Sequence, residues 1–159
     1  MLSTGSAEET QNIGEGLAQM LGSRDVVSLT GDLGAGKTTL VQGLARGLGV
    51  TEPVLSPTFT LIREYQGTVL PIYHLDVYRL ERLQDVVDLG LDEILDQEAI
   101  VLIEWGDAIE ALLPQTYLQV ELTLPEERPT RRISLSGRGP SWAARWERLE
   151  QLATSWQKV

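Results

Sequence analysis

Residues 31–39 read Gly31-Asp32-Leu33-Gly34-Ala35-Gly36-Lys37-Thr38-Thr39, and this stretch decides the fold. It satisfies the pattern G-x-x-x-x-G-K-[ST], in which a glycine-rich loop curls so that backbone N–H groups point at phosphate oxygens. In this pattern Lys37 would reach the β- and γ-phosphates of a nucleotide, and the Thr38 hydroxyl would bind Mg²⁺. The stretch therefore predicts a P-loop that binds a nucleoside triphosphate.

The segments on either side of this loop have the order that a P-loop requires. Residues 26–30, Val-Val-Ser-Leu-Thr, are short, mostly apolar and rich in β-branched side chains, as is typical of a buried strand. After the loop, Leu40, Leu44 and Leu48 recur at helical spacing, and Gly49 follows as an end signal. This context favours a P-loop over a glycine-rich turn that carries a lysine by chance.

The rest of the chain alternates between predicted helices and strands. The helices are 7–21, capped by Ser6, an acidic region 83–95 interrupted at Gly90, and a C-terminal helix at about 141–157; the strands are 61–65, 72–76, 99–104, 118–124 and 131–136. We expect 61–65 to pair with 72–76 across Gly67, and residues 125–129 to join the last two strands as a hairpin. We predict an α/β fold: a three-layer P-loop NTPase-like sandwich with a mostly parallel sheet and an antiparallel hairpin extension near the C-terminus, in one domain over 1–159.

Bulk properties narrow the classes of function. The chain has 159 residues, no cysteine and a formal net charge of −10, so disulfides and thiolate metal sites are excluded and broad nucleic-acid binding is disfavoured. Without a signal peptide or a long apolar run, we expect a cytoplasmic protein that does not contact membranes. The acidic residues of 85–98 form either a solvated helical face or a docking surface for a basic partner.

Two acidic residues follow apolar strands and are candidates for the chemistry of hydrolysis. Glu104 ends the most apolar strand, and Asp76 ends another. Because open α/β sheets bind ligands at the carboxyl ends of their strands, both side chains are expected at the crevice beside the P-loop. One would act through Mg²⁺ and the other would orient or deprotonate water, and the spacing does not assign these roles.

Three further positions are candidates. Thr58, in Ser56-Pro57-Thr58, lies where P-loop proteins can carry a threonine that senses the γ-phosphate; a local turn is the alternative. His74 is the only histidine of the chain, and a lone histidine is more often structural than catalytic. Arg79 would either stabilise the transferring charge or pair with an acid.

Four motifs in series resemble the TsaE (YjeE) family of ATPases. They are the P-loop at 31–39, Ser56-Pro57-Thr58-Phe59-Thr60-Leu61, His74-Leu75-Asp76-Val77-Tyr78-Arg79-Leu80 and Glu104-Trp105. The resemblance covers about residues 10–124 and leaves out the C-terminal helix. It implies a bacterial cytoplasmic ATPase that uses ATP and Mg²⁺, is needed for the threonylcarbamoyladenosine modification of tRNA, works with TsaB and TsaD proteins, and meets tRNA only indirectly.

The resemblance also implies roles for individual residues. By position, the phosphates would be held by Gly34, Ala35, Gly36, Lys37, Thr38 and Thr39. Thr38 and Glu104 would contact Mg²⁺, and Lys37, Asp76, Glu104 and Thr58 would serve hydrolysis. Trp105 would lie near the nucleotide, and Ser6 and Thr10 near its adenine. Gly106 stands where the family often has proline, which predicts a more mobile loop.

Two other classes of function compete with an ATPase. A small-molecule kinase also uses a P-loop, but it needs an acceptor pocket and usually an arginine-rich lid, and no lid-like insertion is evident. A nucleotide-gated binding module that barely hydrolyses is the third class. No Asn/Thr-Lys-x-Asp guanine motif is present, which favours ATP over GTP.

Overall fold

A computed structural model describes residues 2–32, 34–55, 62–77, 83–124 and 130–156. In chain order its elements are β1 (Leu2–Thr4), α1 (Ala7–Ala18), β2 (Val26–Gly31), α2 (Lys37–Gly47), β3 (Ile62–Gln66), β4 (Pro71–Asp76), α3 (Leu83–Asp88), α4 (Leu91–Leu95), β5 (Ile100–Glu104), a 3-10 helix (Gly106–Leu112), β6 (Tyr117–Thr123), β7 (Arg131–Arg138) and α5 (Pro140–Trp156). No helix in these ranges is long and apolar enough to cross a membrane.

The strands form one seven-stranded mixed sheet in the order β1-β7-β6-β2-β5-β4-β3. The four central strands, β6, β2, β5 and β4, run parallel, while β3, β7 and β1 pair antiparallel at the two sides. The predicted α/β fold is confirmed, including the pairing of β3 with β4 and the antiparallel pairing of β6 with β7. The loop predicted at 125–129, like residue 61 of the predicted strand, lies outside the described residues.

Two apolar cores cover the two faces of the sheet. One contains Leu29 and Leu102 with Leu17 of α1 and Leu44 of α2, and the other contains Val101 with Val86 of α3 and Leu91 of α4. All five residues of β5 are buried, which explains why the strand is apolar from Ile100 to Ile103, before it ends at Glu104. The sheet therefore lies between two helical layers.

The N-terminal region differs from the prediction in two details. The sequence pattern did not predict β1, whose three residues form a strand by pairing with β7, for example Thr4 with Arg131. Helix α1 begins as predicted, with the Ser6 hydroxyl accepting from the Glu9 N–H at 3.2 Å, but it ends at Ala18 instead of residue 21. Met20 and Leu21 follow in a tighter turn, because their N–H groups donate to the carbonyls three residues before them.

Candidate functional site

The loop between β2 and α2 takes the shape that its glycines permit. Gly31 ends β2 with φ +127°, and a Cβ built there would lie 1.9 Å from the Leu122 carbonyl oxygen of β6, so no side chain fits. Gly36 caps α2 with φ +107°. Gly34 is exposed with φ +80°, Ala35 is fully buried, and Leu33 lies outside the described residues. The P-loop motif is thus placed between a central strand and a helix N-terminus.

Lys37, the first residue of α2, is only 5% exposed. Its ammonium Nζ donates to the carbonyls of Gly31 at 2.9 Å and Asp32 at 2.7 Å. The same atom lies 3.9 Å from the centroid of the Trp105 ring, close enough for a cation–π interaction. The lysine is therefore held inside the loop that carries it.

Burial lowers the pKa of Lys37 below its ordinary value of 10.5. The negative charges of four neighbouring carboxylates oppose this shift, namely those of Glu104, Asp32, Asp76 and Asp107. Asp107, in the 3-10 helix after β5, was not singled out by the sequence patterns because it belongs to no motif. The carboxylates make the surroundings of the lysine strongly negative.

Glu104 lies at the centre of the site. It is 3% exposed at the end of β5, and its Oε1 accepts a hydrogen bond of 2.8 Å from the Thr38 hydroxyl of α2. Its Oε2 lies 2.5 Å from Nε2 of His74, which is fully buried on β4. The structure thus joins two predicted residues, Thr38 and Glu104, and adds a histidine whose role the sequence left open.

Asp76 reaches the same edge of the sheet. It is the register partner of Glu104 in the parallel pairing of β4 with β5, so the two side chains leave the sheet on the same side. Asp76 is half-buried, and its charge acts on Lys37. Thr39 of α2 is also half-buried. Thr58, Ser56 and Arg79 fall outside the described residues, and their roles stay predictions.

Trp105 and Gly106 form the turn that follows Glu104. Trp105 adopts φ +65°, a left-handed conformation that is uncommon for a tryptophan, and its N–H donates to the Leu29 carbonyl at 2.7 Å. Gly106 is buried, and a Cβ built there would lie 2.0 Å from the Ser28 hydroxyl. The close approach to Ser28 of β2 leaves no room for a side chain at this position.

The N-terminal segment lies beside the P-loop. A cavity of about 250 Å³ is lined by Thr4, Gly5, Ser6, Ala7, Leu124 and Arg131. The Arg131 side chain also lies over Gly36, with its Cδ 3.3 Å from a Cβ built on that glycine. Thr10 is fully buried and its hydroxyl bonds that of Thr4 at 2.8 Å, so of the two predicted adenine-side residues only Ser6 lines the cavity.

Arg131 is the functional candidate that the sequence patterns missed. It begins an alternating strand, and nothing next to it in the sequence marks it as special. Its position follows from two long-range pairings, that of β7 with β6 and that of β1 with β7. Arg131 therefore lies near the P-loop because of the order of strands in the sheet, which the local sequence does not encode.

The donors at this site fit Mg²⁺ bound together with a nucleotide. No group of three or more histidine, cysteine, aspartate or glutamate side chains within the described ranges forms a metal cage. Mg²⁺ usually takes one or two protein oxygens and completes its shell with water and phosphate oxygens. Thr38 Oγ1 and Glu104 Oε1, which lie 2.8 Å apart beside the P-loop, match this pattern.

In the parallel centre of the mixed sheet, a glycine-rich loop leads from β2 into α2, and a lysine and a threonine begin that helix. These features define a P-loop protein of the α/β class. A family model described as threonylcarbamoyl adenosine biosynthesis protein TsaE matches residues 4–133. The chain belongs to the TsaE family, whose proteins take part in threonylcarbamoyladenosine biosynthesis for tRNA. The resemblance noted from the four motifs is thereby confirmed.

Individual relatives support the same family. The chain is 50% identical over 117 residues to a "tRNA threonylcarbamoyladenosine biosynthesis protein TsaE" of Bacillus subtilis, which covers 74% of this chain and 73% of the relative. It is 50% identical over 126 residues to a protein of the same description from a Nostoc species, and the match covers 76% of this chain and 75% of that relative. A crystal structure of Bacillus subtilis YdiB superposes with a TM-score of 0.81 at 39% identity, covering 94% and 93% of the two chains.

Proposed function

We propose that this protein is a Mg²⁺-dependent ATP hydrolase that supports threonylcarbamoyladenosine modification of tRNA in the cytoplasm, together with TsaB- and TsaD-type partners. One observation carries the proposal: Thr38, the residue after the P-loop lysine, bonds Glu104 at 2.8 Å at the edge of the sheet. This pairing supplies oxygen ligands where the β- and γ-phosphates of a bound nucleotide would end.

The described residues suggest a division of roles. Lys37 and the N–H groups at the start of α2 would hold the phosphates, and Arg131, beside Gly36, would add a second positive charge. Thr38 and Glu104 would hold Mg²⁺, which would neutralise phosphate charge when bound. With Glu104 assigned to Mg²⁺, Asp76 is the candidate to orient the attacking water, because it ends the adjacent parallel strand β4 in register with Glu104.

The charge balance at the site predicts that nucleotide affinity depends on the cation. Four carboxylates act on Lys37 and would repel a bare polyphosphate. A nucleotide that arrives with Mg²⁺ carries less negative charge, so the complex is expected to bind more tightly than the free nucleotide. Apart from Arg131 and the predicted Arg79, no arginine of the sequence stands out as a finger, and hydrolysis by the isolated protein is expected to be slow.

The test is nucleotide binding and phosphate release with and without Mg²⁺. Glu104→Gln should reduce phosphate release by about 100-fold, since an acidic ligand of the metal is lost. Glu64→Gln, a matched change at an exposed position on β3, should leave release unchanged. Equal phosphate release by wild type and Glu104→Gln would overturn the assignment of Glu104 to Mg²⁺. A phosphorylated small molecule formed without free phosphate would favour the alternative function of a small-molecule kinase.

Partner dependence needs a separate experiment. Purified TsaB and TsaD proteins should be captured by the wild-type protein in a manner that depends on whether ATP, ADP or no nucleotide is present. Lys37→Ala should lose this dependence because it loses the nucleotide. No capture in any nucleotide state would contradict the proposed partnership, and full partner activity without nucleotide binding would favour a role without hydrolysis.

A further inference from the structure

His74 has one hydrogen-bond partner in the described structure, and that partner is Glu104. The ring is fully buried on β4, its Nε2 lies 2.5 Å from Glu104 Oε2, and its Nδ1 contacts no hydrogen-bonding atom of the described residues. An ionised carboxylate only accepts hydrogen bonds, so Nε2 carries the proton and donates it. In the neutral ring, this hydrogen bond corresponds to the Nε2–H tautomer.

The hydrogen bond leaves Glu104 held from two sides. Thr38 of α2 donates to Oε1 at 2.8 Å, while His74 of β4 donates to Oε2. Glu104 itself is on β5, so three elements meet at one carboxylate that is 3% exposed. A glutamate fixed at both oxygens keeps one orientation, in which Oε1 is the oxygen beside the P-loop threonine.

We propose that His74 is a positioning residue that holds Glu104 Oε2 and thereby presents Oε1 to the divalent cation of a bound nucleotide. The inference rests on the proposed function for the cation, and it assigns His74 a role that the sequence left open. Hydrogen bonds that orient a metal-binding carboxylate typically contribute about 10- to 100-fold in metal affinity or activity. Among the described residues Nδ1 has no hydrogen-bond partner, and the one polar contact of the ring is with the carboxylate that it orients.

The first test measures how strongly a divalent cation enhances ADP binding. Fluorescent ADP is titrated with excess chelator and then with Mn²⁺, and the ratio of the two affinities is the cation enhancement. His74→Phe, which keeps an aromatic ring but removes the donor, should lower this ratio about tenfold or more while the affinity with chelator stays nearly unchanged. His74→Gln, whose amide can still donate, should recover the ratio to within about threefold of wild type.

A control on the same strand separates positioning from a general effect on folding. Tyr73→Phe removes a hydrogen bond of 2.8 Å from the Tyr73 hydroxyl to Gln97, next to His74 on β4. It should leave the cation enhancement unchanged. If His74→Phe and Tyr73→Phe lower the melting temperature and leave the enhancement equal to wild type, His74 is structural and the proposal is overturned.

The second test uses the wild-type protein and does not depend on a variant folding. Because the chain contains a single histidine, nitrogen-15 labelling of histidine gives one pair of ring resonances. We expect the Nε2–H tautomer, with an Nε2 resonance that shifts in Glu104→Gln. The Nδ1–H tautomer would overturn the proposal, since Nε2 would then have no proton to donate. Failure of wild type to bind ADP at all would instead contradict the proposed function, while the tautomer would still report on the bond.

Discussion

At the scale of single residues, Lys37 is the position where stability and binding conflict most directly. The side chain is 5% exposed, and burial of its charge lowers its pKa despite the surrounding carboxylates. Its hydrogen bonds go to the carbonyls of Gly31 and Asp32, which belong to the same loop. A buried cation of this kind serves a ligand better than it serves the fold, because removing it from water is unfavourable.

Lys37→Met should therefore make the protein more stable and unable to bind nucleotide. Methionine has a similar length and can pack against Trp105 without a charge to bury, so the free energy of unfolding at pH 7 should rise by about 1 kcal/mol. ADP affinity should fall at least about 100-fold, since the phosphate-binding cation is gone. Urea denaturation and fluorescent ADP binding measure the two effects on the same samples.

The pH dependence of the stability difference between wild type and Lys37→Met tests whether burial of the lysine charge causes that difference. Because the pKa of Lys37 is lowered in the folded protein, the unfolded chain binds more protons between that lowered value and 10.5. The stability of wild type therefore rises with pH relative to the variant, and the advantage of Lys37→Met should shrink as the pH approaches 10.5. Arg148→Met, at an exposed position on α5, should change stability little and show no such trend. An advantage that grows with pH would contradict burial as the cause.

At the scale of elements, α1 and α2 approach each other through glycine. A Cβ built on Gly43 of α2 would lie 2.1 Å from the Gln11 carbonyl of α1, and one built on Gly14 would lie 2.5 Å from the Leu40 carbonyl. The two backbones are therefore in direct contact across the helix pair. Since α2 starts at Lys37, this contact fixes the helix that carries the P-loop lysine and threonine.

Helix α5 is tied to the start of β2 through Arg145. Its guanidinium forms a bidentate interaction with Asp25 at 2.7 and 2.9 Å, donates to the Met20 carbonyl and stacks 3.7 Å from the centroid of the Trp142 ring. Trp142 is fully buried against the core. These contacts place the C-terminal helix against the strand that leads into the P-loop.

Arg145→Met should destabilise the fold by about 2 kcal/mol, because it leaves the largely buried Asp25 carboxylate without its bidentate partner. Arg46→Met provides the matched control: Arg46 pairs with Glu15 between α1 and α2, but both side chains are about half exposed. That change should remove less than about 1 kcal/mol. Urea denaturation with a double-mutant cycle through Asp25→Asn measures the coupling, and equal losses for the two arginines would contradict the assignment.

The same elements show what the sequence could and could not predict. The order of strand, glycine-rich loop and helix, the strand β5 and the antiparallel pairing of β6 with β7 follow from local periodicity and turn residues, and the described residues show them. Strand β1 has no periodicity of its own over three residues, and it forms because β7 provides a partner. The contacts of His74 with Glu104 and of Arg131 with the P-loop depend on strand order and register, which no single segment encodes.

At the scale of the whole molecule, the sheet order assembles the site. Strand β2 lies between β5 and β6, so the loop that it feeds meets Glu104 on one side and the Leu122 carbonyl on the other. Asp76 and Glu104 end adjacent parallel strands, and α2 covers the same face. Residues from distant parts of the chain converge at the carboxyl edge of the sheet, where open α/β sheets bind ligands.

The net charge of −10 predicts that the isolated protein binds tRNA weakly. Sequence-independent affinity for nucleic acid comes from lysine and arginine side chains that contact phosphates. A strongly acidic surface repels the phosphates. Exposed arginines do occur on β7 and α5, at Arg132, Arg138 and Arg148. We expect no binding of labelled tRNA by fluorescence anisotropy at a protein concentration of about 10 μM in about 150 mM salt, a condition under which basic nucleic-acid-binding proteins often bind.

A double variant distinguishes direct contact with tRNA from contact through partner proteins. If tRNA contact runs entirely through partner proteins, changing Arg132 and Arg138 together to glutamine should leave the anisotropy at the baseline seen for wild type. Binding by wild type that weakens steeply from about 50 to 150 mM salt and disappears in the double variant would identify a direct contact on β7. That result would overturn the indirect role for tRNA, and it would mean that local positive charge on one strand outweighs the acidity of the molecule as a whole.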